Sequence, residues 1–280
     1  MTMPKPSGPN GLRGPTLASR RALLRGGLAL TPALLLAPLL RRLVQPATDR
    51  AVPSSQAKAG QATPTCVVTP QETEGPYFVD EQLNRSDVRS DPTSGEVKDG
   101  VPLTLQIVVS QVGADGCGPL AGAVVDIWQC DALGVYSDVN DPGFSTVGQK
   151  FLRGSQTTDE SGAVQFVTIY PGWYRGRTVH THFKVRTHPG AASGYEFTSQ
   201  LYYDDALTDI VHAQPPYAAK GMRDTRNSND GIYQSGGDQL LLDLQPTADG
   251  AGYTATFQVG VDLSAPSQAD PGGGPRPGGF

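Results

Sequence analysis

Beyond residue 50 the chain never holds apolar residues at a 3.6-residue period through three turns; clusters of Gly, Pro, Asp and Asn cut it into short alternating runs. Those clusters recur roughly every 8–12 residues, the spacing of strands in an all-β sandwich. Strands of this kind bury one face, so apolar residues should fall at alternate positions. Tyr253, Ala255, Phe257, Val259 and Val261 do so in a strand predicted over 253–263. Further strands are predicted over 101–112, 119–129, 150–157, 163–169, 178–186, 196–203 and 239–244, with one short helix in the loop 204–226. The expected fold is all-β, a single β-sandwich with long loops over residues 66–264. No internal repeat is visible.

The flanks have other compositions. Ser19-Arg20-Arg21-Ala22-Leu23-Leu24-Arg25 places paired arginines ahead of an apolar run, Gly26 to Leu40, which matches a signal h-region and is short for a membrane span. Residues 1–47 therefore read as a twin-arginine-type signal segment, and the protein is expected to be exported to the periplasm, the cell envelope or the medium. Ala57-Lys58-Ala59 has the form of a cleavage site, whereas Arg41-Arg42 after the apolar run could stop transfer. Membrane contact is expected only through this segment, if it is retained. Residues 48–65 have the Ala, Pro, Ser, Gln and Thr content of a linker, and 265–280 read as a disordered Pro/Gly-rich tail.

Eight Lys/Arg and one acid fall in the first fifty residues, which leaves 14 basic and 26 acidic groups in the body, a net of about −12. Phosphate-backbone binding needs clustered basic charge, so a nucleic-acid partner is excluded. Three cysteines suit an oxidising compartment. Cys117 and Cys130 flank one predicted strand and a turn and are expected to pair, which leaves Cys66 over; no Cys-x-x-Cys spacing suggests a thiolate metal site.

The densest chemistry lies between Ile169 and Val185. On a strand over 178–186, His180 and His182 leave from one face while Val179, Phe183 and Val185 leave from the other. Alone, such a pair could hold zinc or copper, or be an exposed polar pair without a metal. Tyr170, Tyr174, Arg175 and Arg177 precede it in a Pro-Gly-Trp turn context that could swing them over the strand.

Thr73-Glu-Gly-Pro-Tyr77, Val125-Asp-Ile-Trp-Gln-Cys-Asp-Ala-Leu-Gly-Val-Tyr136, Tyr170-Pro-Gly-Trp-Tyr174 and Arg177-Thr-Val-His180-Thr-His182 together resemble the intradiol ring-cleavage dioxygenases, especially their exported members. The resemblance implies a β-sandwich holding non-haem Fe(III) through Tyr136, Tyr174, His180 and His182. It also implies that O₂ opens a catechol-type ring to a muconate-type dicarboxylate. In that reading Tyr174 leaves the metal and accepts a substrate proton, Arg177 offsets charge on the ring, and Gln200 contacts substrate or oxygen. Tyr77 and Trp173 would line the substrate pocket, with Tyr77 equally open to a structural role. The partners implied are a small catechol and O₂, and a homo-oligomer is compatible. Tyr174 precedes His180 by only six residues, so the loop that shapes the pocket in protocatechuate-type enzymes is trimmed, and their carboxylate-recognition residues have no counterpart to point to. Tyr170 continues a strand and is expected to pack; Arg175 is open between surface charge and substrate contact. His188 and His212 are expected to be solvent-facing or hydrogen-bonded without a catalytic role. The competing reading is a non-catalytic β-sandwich module that binds phenolics or carbohydrate, since fold and function separate readily.

Overall fold

A computed structural model describes residues 66–189 and 194–267. The expected signal segment 1–47, the linker 48–65 and all but the start of the 265–280 tail lie outside the described residues. Within them the architecture is all-β, as expected. Eleven strands are present: β1 (Pro102–Gly113), β2 (Gly116–Pro119), β3 (Val124–Trp128), β4 (Asn140–Asp141), β5 (Phe144–Ser145), β6 (Arg153–Thr157), β7 (Ala163–Ile169), β8 (His180–Thr187), β9 (Tyr195–Tyr202), β10 (Gln245–Pro246) and β11 (Tyr253–Val261). A short helix, α1 (Asp205–His212), falls in the loop where one was expected. Asp204 caps it by accepting the Leu207 N–H, and the connection between α1 and β10 carries four short 3-10 turns.

Two sheets face each other. In the first, β1 runs parallel to β11 along one edge, while β7 and β2 pair antiparallel with successive lengths of its other edge. The second has the order β6-β3-β8-β9, antiparallel throughout. Alternation decides what lies between them. Leu103, Leu105, Ile107 and Val109 of β1 meet Val125 and Ile127 of β3, Phe183 and Val185 of β8, and Phe197 and Leu201 of β9 in one buried cluster. Each such side chain contributes roughly 1.5–3 kcal/mol by leaving water. The free edges are covered: residues 83–88 bond to β6 and to β7, and Glu72 N–H bonds Thr198 O on β9.

The expected strand over 239–244 is instead a 3-10 turn, Gly237–Leu240, followed by a single bridge from Leu241 to Tyr202 and the two-residue β10. Leu240 and Leu242 are buried, which produced the alternation, but the backbone there makes one rung and no ladder. The expected Cys117–Cys130 bridge is also corrected. Cys66 and Cys117 form the disulfide, with Cα atoms 5.2 Å apart. Cys130 is a buried free thiol at the end of β3, in the opposite sheet, with its Sγ 3.5 Å from Gly172 O. Proximity in sequence misled because β2 turns back along β1, whereas the chain then crosses to the other sheet for β3.

Candidate metal centre

Every residue of β8 from His180 to Arg186 is buried, because both faces of the strand are covered. One face enters the core. The other carries His180, His182, Lys184 and Arg186 outward, and the register sets Trp128 and Gln200 on either side of His182 and Tyr202 beside His180. The tyrosines arrive on two loops, one following β3 and one preceding β8. Their approach depends on glycine: a Cβ on Gly134 would lie 2.0 Å from Trp173 O, and one on Gly172 would lie 2.5 Å from the carbonyl oxygens of Asp131 and Ala132. Gly134 also has a φ of +80°. The Gly172 N–H donates to Asp131 O at 3.1 Å, which locks the two loops together.

Tyr136, Tyr174, His180 and His182 are thereby brought to one point. Tyr174 Oη lies 3.1 Å and Tyr136 Oη 3.4 Å from His180 Nε2, which in turn is 3.2 Å from His182 Nε2. His180 Nδ1 is 2.6 Å from Thr178 O, an atom that can only accept, so Nδ1 carries the proton and Nε2 presents its lone pair. Trp128 lies flat against the His182 ring at 4.8 Å and fixes its plane.

Burial pushes the Tyr136 phenol well above its ordinary range. It also pushes Tyr174 up to about 12, although the nearby Arg177 guanidinium pulls the other way. His180 is held down to about 3 by burial and then by Arg177, and His182 is held far below its usual value by burial and by His180. The imidazoles are thus free donors, and a cation among the four groups would reverse the balance for the phenols. Among the described residues no group of three or more His, Cys, Asp or Glu could hold a metal, and at this point the two imidazoles are joined instead by the two phenols. Two phenolates with two imidazoles suit a hard cation of high charge.

Arg177 stands beside this cluster with its guanidinium against Tyr174. Its Nε–H donates to Asp230 Oδ2 at 2.9 Å and its Nη2 to Gln200 Oε1 at 2.6 Å. Gln200 is fully buried, and its Nε2 donates to Thr73 O, so both ends of its amide are engaged. Tyr77 is brought to the centre: it stacks on Tyr136 at 4.5 Å, meets Tyr174 edge-on at 6.0 Å, and donates its hydroxyl to Asp141. Trp173 is turned toward the 217–221 turn, where its Nε1–H donates to Gly221 O and Lys220 lies over its ring. Tyr170 is buried with its hydroxyl on Thr208, and Arg175 is 95 % exposed on its side chain. His212 is buried, bonded to Pro171 O and stacked on Tyr217.

With this geometry in place, the sequence profile of a dioxygenase family matches residues 73–231, more than half of the chain. The chain belongs to the intradiol dioxygenase family. Among relatives, the protocatechuate 3,4-dioxygenase beta chain of Burkholderia cepacia is 32 % identical over 152 residues, covering 50 % of this chain and 63 % of that protein. Catechol 1,2-dioxygenase of Candida albicans is 29 % identical over 165 residues, covering 51 % of this chain and 45 % of that protein. The match therefore spans less than two-thirds of either relative. An intradiol ring-cleavage dioxygenase from Tetranychus urticae superposes with a TM-score of 0.63 at 27 % identity, covering 72 % of this chain and 98 % of that one.

Two groups of residues around the centre escaped the sequence. Lys184 pairs with Glu74 and Glu196, and Arg186 with Asp80 and Asp126, so the continuation of the His-x-His face clamps the segment 74–80 across the site. The alternation His180, His182, Lys184, Arg186 was a signal for this. Asp230 and Glu72 gave none, because only the folded chain brings Asp230 to Arg177, 53 residues away, and Glu72 to Tyr202, 130 residues away.

Proposed function

We propose that the chain is a non-haem Fe(III) intradiol dioxygenase that opens a catechol-type ring with O₂ to a muconate-type dicarboxylate. The observation that carries this reading is the convergence of two phenol oxygens and two imidazole nitrogens within 3.4 Å of His180 Nε2 or at it. Tyr136, Tyr174, His180 and His182 would hold the iron, which when bound supplies a Lewis-acidic centre that chelates the catecholate and prepares its ring for O₂.

The chain's own residues supply the rest. Tyr136 is 1 % exposed and pinned under Tyr77, so it is the fixed phenol of the pair. Tyr174 is only partly buried and lies next to Arg177, so it is the one placed to swing aside and take a proton from an incoming catechol hydroxyl at its Oη. Arg177, held by Asp230 and Gln200, offers a fixed cation to the negative charge that builds on the ring. Tyr77 walls the site and limits water, and the Thr178 carbonyl keeps the His180 Nδ1 proton in place.

Relatives named for protocatechuate, catechol and chlorocatechol support a single-ring catechol as substrate. Export through the twin-arginine segment is part of the proposal and is supported by the Cys66–Cys117 disulfide, a bond suited to an oxidising compartment. The test is metal analysis of the purified protein combined with an oxygen electrode. Burgundy protein with about one iron per chain that consumes O₂ when given catechol is expected. A colourless zinc protein without turnover would sink the reading.

A further inference from the structure

We propose that Asp230 is the positioning residue of the centre, setting the Arg177 guanidinium directly and the His180 ring through the backbone of Thr178. The inference rests on the dioxygenase reading for its kinetic consequence and on geometry for its substance. Asp230 is 1 % exposed and belongs to the loop after α1, far in sequence from the strand it serves. Its two oxygens divide the work. Oδ2 accepts the Arg177 Nε–H at 2.9 Å and the Thr178 N–H at 2.7 Å. Oδ1 accepts the N–H groups of Ile232 and Tyr233 at 2.8 and 3.0 Å, which fixes the carboxylate to its own loop.

Thr178 is therefore gripped along its length. Its N–H donates to Asp230, its hydroxyl donates to Asn227 Oδ1 at 2.6 Å, and its carbonyl accepts a hydrogen bond from the His180 Nδ1–H. On the other side of Arg177, Gln200 holds Nη2, so the planar fork is caught at two of its three nitrogens and its orientation over Tyr174 is determined. One carboxylate thus couples the cation that would face substrate with the orientation of a metal-binding imidazole. Such outer partners tune a site without touching what it binds.

Asparagine is an informative replacement because it keeps the shape and removes one acceptor. Its single oxygen can serve the Ile232 and Tyr233 pair or the Arg177 and Thr178 pair; its NH₂ then faces two donors on the other side. The experiment is a double-mutant cycle of Asp230→Asn and Arg177→Gln, read as kcat and KM for catechol with iron content measured on each protein. It is paired with the NMR signal of the Arg177 Nε–H in the metal-free protein. The expected result is a loss of about 10- to 100-fold in kcat for Asp230→Asn, the effect of losing one charge-assisted hydrogen bond to a working cation, with iron retained. In the Arg177→Gln background the same change should add less than about threefold, since residues acting through one another are not additive. The slowly exchanging Nε–H signal of the wild type should be lost in Asp230→Asn.

Equal losses in both backgrounds, or an unchanged Nε–H signal, would overturn the proposal. Asp230→Glu, which keeps the charge with longer reach, is expected to fall between wild type and asparagine, and it carries the same cycle if the asparagine variant does not fold. If the wild type turns over no catechol, the dioxygenase reading fails alone, and the Nε–H signal still decides on Asp230.

Discussion

Tyr136 and Tyr174 are the same chemical group in different surroundings, and the difference underlies the separate roles proposed for them. Tyr136 is enclosed by Tyr77 and by the buried cluster of Trp128, Cys130 and Val139, whereas Tyr174 packs only at the edge of that cluster. In the proposed iron protein, Tyr136→Phe is expected to remove most of the visible absorption, because a phenolate fixed on the metal would be its source; an unchanged spectrum would contradict the assignment. Glu72 gives a test by pH. Burial raises its carboxyl to about 7 from an ordinary 4.5, against the Tyr202 hydrogen bond and the Arg177 charge that draw it down. Between those values the folded protein holds a proton that the unfolded chain has released. The stability tied to this proton is complete below about pH 4.5 and is lost as pH rises through about 7. Melting temperature should therefore fall more steeply from about pH 5 to 8 in the wild type than in Glu72→Gln. Parallel curves in calorimetry would rule this out. At this scale the meeting of the four side chains was legible, the two histidines from alternate strand positions and the two tyrosines from the motifs that carry the family resemblance. Glu72 and Asp230 were not, because nothing local marks a carboxylate whose partners come from other loops.

The strand β8 shows how one element carries two tasks. Its inner face packs the sandwich, and its outer face holds the imidazoles at one end and two cations at the other. Arg186 makes paired hydrogen bonds to Asp126 at 2.8 Å each and two more to Asp80 at 2.8 and 3.4 Å, and Lys184 lies over the Phe78 ring while it binds Glu74. These bonds fasten the segment that presents Gly75 and Tyr77 to the centre. A Cβ on Gly75 would come within 3.4 Å of the His182 ring, and its φ is +72°, so glycine suits this crossing. Arg186→Met leaves Asp126 without its cation and should cost roughly 3–5 kcal/mol, a drop of about 10 °C in melting temperature for a body of this size. Adding Asp126→Asn should recover part of it; a loss under about 1 kcal/mol for the single variant would show that the clamp is not structural. Most strands were visible in advance because alternation survives wherever one face is buried. The four-residue β2, Gly-Cys-Gly-Pro, was not, because it has no alternation and exists only by pairing with β1.

Over the whole molecule, the loops do what the strands cannot. The sandwich supplies a flat outer face, and contacts between distant segments turn it into an enclosed centre: Tyr77 onto Tyr136, Gly172 onto Asp131, Asp230 onto Arg177. The cysteine pairing belongs to this scale too. Cys66 closes onto Cys117 because the start of the described chain runs beside β11, with Thr69 N–H bonded to Gly260 O, next to the β1 end where β2 turns. Spacing along the sequence could not reveal that arrangement, whereas the sandwich class followed from turn spacing alone. The proposed ring opening between the two catechol oxygens belongs to this enclosure as a whole. Mass spectrometry of the product formed from catechol under ¹⁸O₂ tests it most directly. A muconate-type dicarboxylate carrying both labelled atoms, one in each new carboxylate, is expected; a semialdehyde from cleavage outside the diol, or catechol recovered intact, would contradict it.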